Sequence, residues 1–232
     1  MIFIRYKIVL LILTIIFISN FNISPAYSND DALNFYQKGM ELQKYGKYIE
    51  AQSYYEKSLK IDRGINNPLD IATDLNNIGA AYNSSGSHEK AIPYLEDALK
   101  IFRKLNKMDS ISVGLNNLGE VYRTLRIYEK ALSLYEEALK IDRGLNLPQN
   151  IAIRLNNIGV VYTSINQYEK ALYCFEESLK IRRELNIPQD IIQSLNNIGS
   201  VYESLGQRDK ALSCYEESLK ISRELDIPKN TT

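Results

Sequence analysis

Asn76, Asn116, Asn156 and Asn196 recur at a constant interval along the chain, and the primary amide of each offers both a donor and an acceptor. That chemistry is recognition by hydrogen bonding; it activates no nucleophile. Side chains able to do more are sparse. His88 is the single histidine, and without a paired acid or nucleophile it carries no catalytic reading. Cys174 and Cys214 are separated by the same interval, which sets them on neighbouring units about 10 Å apart axis to axis. A disulfide does not reach so far, so both read as small packing residues. No phosphate loop, metal-ligand cluster or triad-like set is visible, so the expectation is a non-enzyme with no cofactor and no metal.

The elements that carry the amides repeat with the same period. Gly39, Gly79, Gly119, Gly159 and Gly199 form one column, and Ala51, Ala91, Ala131, Ala171 and Ala211 follow at a fixed offset. Tyr55, Leu95, Tyr135, Phe175 and Tyr215 make a third column, and Ser58, Ala98, Ala138, Ser178 and Ser218 a fourth. Leu75, Ile78, Gly79 and Tyr82 have helical spacing and share one face, as do Ala91, Leu95, Ala98 and Leu99 on a second helix. Small residues let the two backbones approach while leucines and rings fill the flanks. A fixed period of this size marks a repeat array, which usually presents an extended surface rather than a pocket.

Boundary signals recur as well. Asp30, Asp70, Ser110, Asn150 and Asp190 form a column of preferred N-cap residues, and Pro68, Pro148, Pro188 and Pro228 are expected to stop the preceding helix. Gly46, Gly86, Asn166 and Gly206 suit a left-handed turn between paired helices, with Arg126 the exception. Helix A is expected over 70–84 and helix B over 88–105, repeating onward. Pro93 falls in the second turn of one B helix, where it removes a hydrogen bond.

Residues 1–28 stand outside the array. Arg5 and Lys7 precede an apolar stretch from Ile8 to Ile18 broken only by Thr14, and Ala26-Tyr27-Ser28 supplies small residues at the positions a signal peptidase reads. This reads as a secretory signal peptide cleaved after Ser28, its apolar core short against the roughly 20 residues a spanning helix needs. An uncleaved membrane anchor is the alternative; either way the folded part is expected outside the cytoplasm, periplasmic or secreted. Lys plus Arg equals Asp plus Glu at 28 each, with the two signs interleaved, so no field favours nucleic acid.

Leu75-x2-Ile78-Gly79-x2-Tyr82 followed by Ala91-x3-Leu95-x2-Ala98 resembles the tetratricopeptide repeat pattern, with Leu in place of the usual Trp. The resemblance covers 70–227 strongly and 32–65 weakly. In that first unit Phe35, Gly39, Ala51 and Tyr55 match while Lys38 and Leu42 depart. A period of 40, rather than about 34, and the Leu-Asn-Asn triplet are similar to the long variety in kinesin light chains and bacterial regulatory proteins. The resemblance implies an all-α, right-handed superhelical solenoid of antiparallel helix pairs. Its five units lie at 30–67, 70–107, 110–147, 150–187 and 190–227, with helix A along the inner wall.

If helix A lines the inner wall, counting 100° per residue from the packed face places positions 73, 76, 80 and 83 and their equivalents there. The expected peptide-binding set is Asn76 and Asn83; Asn116, Glu120 and Arg123; Asn156 and Thr163; Asn196 and Glu203. The resemblance implies that groove asparagines hold the backbone of a peptide while variable neighbours give selectivity. The alternative is that the amide ladder links adjacent A helices and fixes their register. Asn77, Asn117, Asn157 and Asn197 read as structural or solvated. The Glu-Lys and Glu-Glu pairs of helix B read as a solvated outer face.

At the other end, Pro228-Lys229-Asn230 resembles the opening of a sixth unit. Leu212, Tyr215 and Leu219 of the last B helix are expected to lack a covering helix, which arrays usually need. Two functions follow: a scaffold binding a protein or peptide segment in its concave groove, or a structural protein that self-associates into a homo-oligomer through that last helix. No nucleic acid is expected as partner, and a membrane only if the leading segment stays uncleaved.

Overall fold

The computed structural model describes residues 28–225; the expected signal segment, apart from Ser28, and the Pro228-Lys229-Asn230 motif lie outside them. Five helix pairs follow one another: α1 (Asn29–Lys44) with α2 (Tyr48–Ile65), α3 (Pro68–Ser84) with α4 (His88–Lys104), and α5 (Met108–Thr124) with α6 (Tyr128–Gly144). Then come α7 (Pro148–Ser164) with α8 (Tyr168–Glu184) and α9 (Pro188–Ser204) with α10 (Arg208–Glu224). Among the described residues there is no strand, and each helix packs chiefly on its neighbours in sequence. The architecture is an all-α solenoid.

The helix starts differ from the sequence expectation. Pro68, Pro148 and Pro188 open α3, α7 and α9 instead of merely ending what precedes them. Proline's fixed φ and missing N–H suit the first helical position, so the helix takes the ring in. Asp30, Asp70, Ser110, Asn150 and Asp190 consequently stand inside the first turn. The N-cap positions of α3, α5, α7 and α9 are Asn67, Lys107, Leu147 and Ile187, and none makes a side-chain cap bond. Ser28 does: Asp31 N–H donates to its Oγ at 3.3 Å while Ser28 N–H donates to Asp31 Oδ2 at 2.8 Å, a capping box.

Turns are set by left-handed residues in two columns. Gly46, Gly86, Asn166 and Gly206 take positive φ between paired helices, and Arg126 takes it too, at φ 61°. A second column closes the first four B helices: Asn66, Asn106, Asn146 and Asn186, with φ of 53–58°. Asparagine tolerates this region better than other residues with a Cβ. The next N–H then reaches back to a free carbonyl, as from Lys107 to Phe102 at 3.1 Å and from Leu147 to Asp142 at 3.0 Å. The helix α4 runs through Pro93 unbroken.

Within each pair the glycine of helix A lies under the ring or leucine of helix B. A Cβ at Gly79 would stand 2.6 Å from Leu95 Cγ, and one at Gly119 would stand 2.7 Å from Tyr135 Cε1. The alanine column lies at the same seam: Ala51, Ala91, Ala131 and Ala171 are fully buried.

At the joints between pairs, one position on helix B and one on the next helix A recur along the array as Asp62 and Asp74, Phe102 and Gly114, Asp142 and Arg154, and Arg182 and Ser194, and the polar pairs meet side chain to side chain. All but the glycine are buried side chains. Arg154 Nε donates to Asp142 Oδ2 at 3.1 Å, and Arg182 donates to Ser194 Oγ at 2.8 Å and the Asp190 carbonyl at 3.0 Å. The first joint holds two acids. Burial, with the neighbouring Asp62 adding to it, pushes the Asp74 carboxyl up to about 8, and burial likewise raises Asp62.

Candidate functional site

The A helices carry the expected recognition row. Successive A helices (α3 with α5, α7 with α9) come into direct contact, and no two B helices approach as closely. Closer contact on the A side is what a stack curved with its A helices inside requires.

The amides interlock. Asn117 Nδ2 donates to Asn76 Oδ1 at 3.1 Å, Asn157 Nδ2 to Asn116 Oδ1 at 2.9 Å, and Asn197 Nδ2 to Asn156 Oδ1 at 2.9 Å. Both asparagine columns therefore join one A helix to the next, and the oxygen half of each first-column amide fixes register. The nitrogen half is used otherwise. Among the described residues Asn76 Nδ2 and Asn156 Nδ2 have no hydrogen-bond acceptor, and neither is sealed from solvent. Asn116 Nδ2 has one long contact, 3.5 Å to Asn117 Oδ1. Asn76 and Asn156 are nevertheless largely enclosed at 6% exposure, while Asn196, on the last A helix among the described residues, is exposed.

The variable positions differ in what they have left to offer. Arg123 Nε donates to Glu120 Oε2 at 2.9 Å, a second guanidinium nitrogen reaches Oε1, and Tyr135 Oη donates to Glu120 Oε2 at 2.9 Å. Burial opposes a charged Glu120, yet the bonds from Arg123 and Tyr135 outweigh it and hold the carboxyl below its usual range. These two expected contact residues thus form a pair already satisfied by the fold. Asn83 Oδ1 meets His88 Nδ1 at 2.7 Å, which gives the lone histidine a structural partner. Thr163 Oγ1 donates to the Gly159 carbonyl at 2.9 Å. Glu203 is exposed and accepts from Tyr215 Oη at 3.3 Å. Sequence reading overlooks this link between helix-B tyrosines and the inner row, although Tyr55, Tyr135 and Tyr215 share one column.

At the start of the B helices, Lys130, Lys170 and Lys210 lie 4.9, 5.3 and 5.2 Å from the ring centres of Tyr122, Tyr162 and Tyr202. Each lysine closes the edge of its own repeat. Glu137 and Glu217 accept from Arg103 and Arg183 of the preceding repeat at 2.9 and 2.6 Å. Cys174 and Cys214 are both free thiols.

Models of the tetratricopeptide repeat match residues 31–104, 110–184 and 192–225. The chain belongs to the tetratricopeptide repeat family. Solved structures share the array: BtubC (BKLC) from P. vanneervenii is 27% identical, with 84% of this chain and 82% of that one covered and a TM-score of 0.73. A kinesin-light-chain-like protein with nearly identical repeats from Podosopora anserina is 17% identical, with 83% and 95% covered and a TM-score of 0.69. A Rap protein complexed with Competence and Sporulation Factor is 22% identical with a TM-score of 0.76; 84% of this tetratricopeptide array aligns, but over only 55% of that chain. No curated protein matches in sequence. Repeats of this family serve generally as protein-interaction scaffolds.

Proposed function

We propose that the array is a non-enzymatic scaffold that holds a peptide or protein segment along its inner row of A helices. One observation carries this reading: Asn76, Asn116 and Asn156 accept from the next repeat through Oδ1, while Nδ2 of Asn76 and Asn156 is left over and that of Asn116 makes only one long contact, 3.5 Å. A side chain held by its oxygen presents its N–H groups in a fixed direction, and a row of such donors suits the carbonyls of an extended backbone. Each such bond adds about 0.5–1.5 kcal/mol net. A Rap protein of the same fold forms a complex with Competence and Sporulation Factor.

The test is an exchange that removes only the donor. Asn116→Asp and Asn156→Asp keep an oxygen for Asn157 and Asn197 but replace the N–H2. Partner capture by the double variant is expected to fall while the helical circular-dichroism signal and melting midpoint hold. Unchanged capture would overturn the reading.

A second reading has its own observation. Leu212 and Leu219 are 56% and 45% exposed, whereas Leu139 and Leu179, equivalent to Leu219, are 8% and 7% exposed. Tyr215 is largely engaged within its repeat, over Gly199 and on Glu203, so the leucines carry the self-association proposal. Leu219→Glu should lower the mass found by light scattering if copies pair there. We further propose export through the leading segment. No helix among the described residues is long and apolar enough to span a membrane, and N-terminal sequencing of the mature protein tests the cleavage.

A further inference from the structure

At the joints Asp142–Arg154 and Arg182–Ser194 the paired positions are matched hydrogen-bonding partners, and at the first joint both are acids. Asp142 faces Arg154, whereas Asp62 faces Asp74. Both first-joint acids are essentially sealed, at 2% and 1% exposure, and Asp62 Oδ1 and Asp74 Oδ2 have no hydrogen-bond partner. They line a cavity of about 260 Å³ between α1, α2 and α3 that Asp70, Thr73 and Tyr36 also edge. No lysine or arginine lines it.

We infer that this cavity receives the guanidinium of an arginine side chain from the bound segment, in the role that Arg154 plays for Asp142. The inference rests on the scaffold reading and names the side chain it would select. Two buried carboxyls facing each other can ionise together only at a high cost, and a planar fork of N–H donors satisfies two acceptors at once. Asp70 Oδ2 already accepts from Asn67, and no group of three or more acids, cysteines or histidines among the described residues is disposed to hold a metal ion. The volume lies below the roughly 300–1,000 Å³ of small-molecule pockets, a size for one side chain rather than a cofactor. The titratable groups facing the pair are Asp70 from α3, Tyr36 from α1 and Tyr55 from α2, and no basic residue lines the cavity. Since the pair binds a proton near neutrality, the cation displaces that proton, and binding strengthens as pH rises.

The experiment uses the full chain labelled with ¹³C at aspartate carboxyls, titrated with N-acetyl-arginine amide and, in parallel, with N-acetyl-citrulline amide, its uncharged isostere. The Asp62 and Asp74 signals should move saturably with arginine, and at least about tenfold more ligand should be needed with citrulline. Asp74→Arg supplies the missing cation internally and should abolish the Asp62 response; Asp74→Asn, which keeps the shape, should weaken it. Carboxyl signals that ignore arginine, or follow citrulline equally, overturn the inference. Asn116→Asp should leave this titration untouched, so failure of the amide row and failure of the pocket show separately.

Discussion

A Cβ placed on Gly159 would lie 2.6 Å from Cε1 of Phe175, closer than real side-chain contacts allow. Neither the ring, packed in the core at 2% exposure, nor the α7 backbone has room to yield. Gly159→Ala should destabilise the array by about 1–3 kcal/mol through overpacking, read as a lower denaturant midpoint. The same change at Gly144, which has nothing within 4 Å and ordinary φ, should stabilise or be neutral. Equal effects at both sites would show that the close approach is not what the column secures.

The buried pair Asp142–Arg154 makes a different prediction. Arg154 is 4% exposed and Asp142 fully buried, so Arg154→Leu strands a carboxylate and should cost about 3–5 kcal/mol. Adding Asp142→Leu removes the stranded charge, and the double variant should regain most of that loss. Urea midpoints for the two singles and the double close the cycle. Additive losses would mean that the pair is not coupled.

The glycine, alanine and ring columns are legible because packing at a fixed period is written in residue size, and size is what a sequence states most directly. Helix limits fall within a turn of expectation, yet the proline rows read as the end of one helix when they begin the next. Proline fits both places, and only the backbone hydrogen bonds tell them apart. The left-handed asparagines at 66, 106, 146 and 186 are equally periodic but are masked by the more familiar glycines. The pairing of Asn116 with Asn157 is not readable from either column, because it depends on how far one A helix is shifted along its neighbour. Helical spacing sets the direction of a side chain on its own helix and leaves that shift undetermined. The acid joint at Asp62 and Asp74 escapes sequence reading for the same reason: its two members sit on successive helices and meet only after a turn and a change of direction.

That shift is itself testable. Asn157→Ala removes the donor to Asn116 Oδ1 and leaves an acceptor in a partly enclosed place, so stability should fall by about 0.5–1.5 kcal/mol. Hydrogen exchange should quicken in α5 and α7 ahead of the other A helices. An evenly distributed change would show that the amide contact does not hold that junction.

The cysteines offer a prediction about reactivity. Burial, with Glu136 nearby adding to it, pushes the Cys174 thiol up to about 11, which keeps it protonated and slow towards alkylating reagents at neutral pH. Cys214 is less enclosed and is raised in the same direction. Native protein should therefore take up iodoacetamide at Cys214 first, with Cys174 following only on unfolding, as mass spectrometry of the labelled peptides would reveal. Rapid labelling of Cys174 in the folded chain would contradict its burial.

The acid joint sets how stability varies with pH. Asp74 is raised from an ordinary value near 4 to about 8, and Asp62 is raised beside it, so the folded chain holds protons that the unfolded chain has released. Stability rises with pH only where the unfolded state binds more protons; here the folded state binds more. The contribution is fully present below about pH 4 and is lost as pH climbs towards about 8. Glu120, held low by Arg123 and Tyr135, acts in the opposite sense but only in acid, below the usual carboxyl range. Between about pH 5.5 and 8.5 the thermal midpoint of the wild-type chain should therefore decline. Asp74→Asn, which removes the second charge while keeping the shape, should flatten that decline and raise the midpoint at the alkaline end. Parallel profiles for the two proteins would mean that the two carboxyls do not share a proton across this joint.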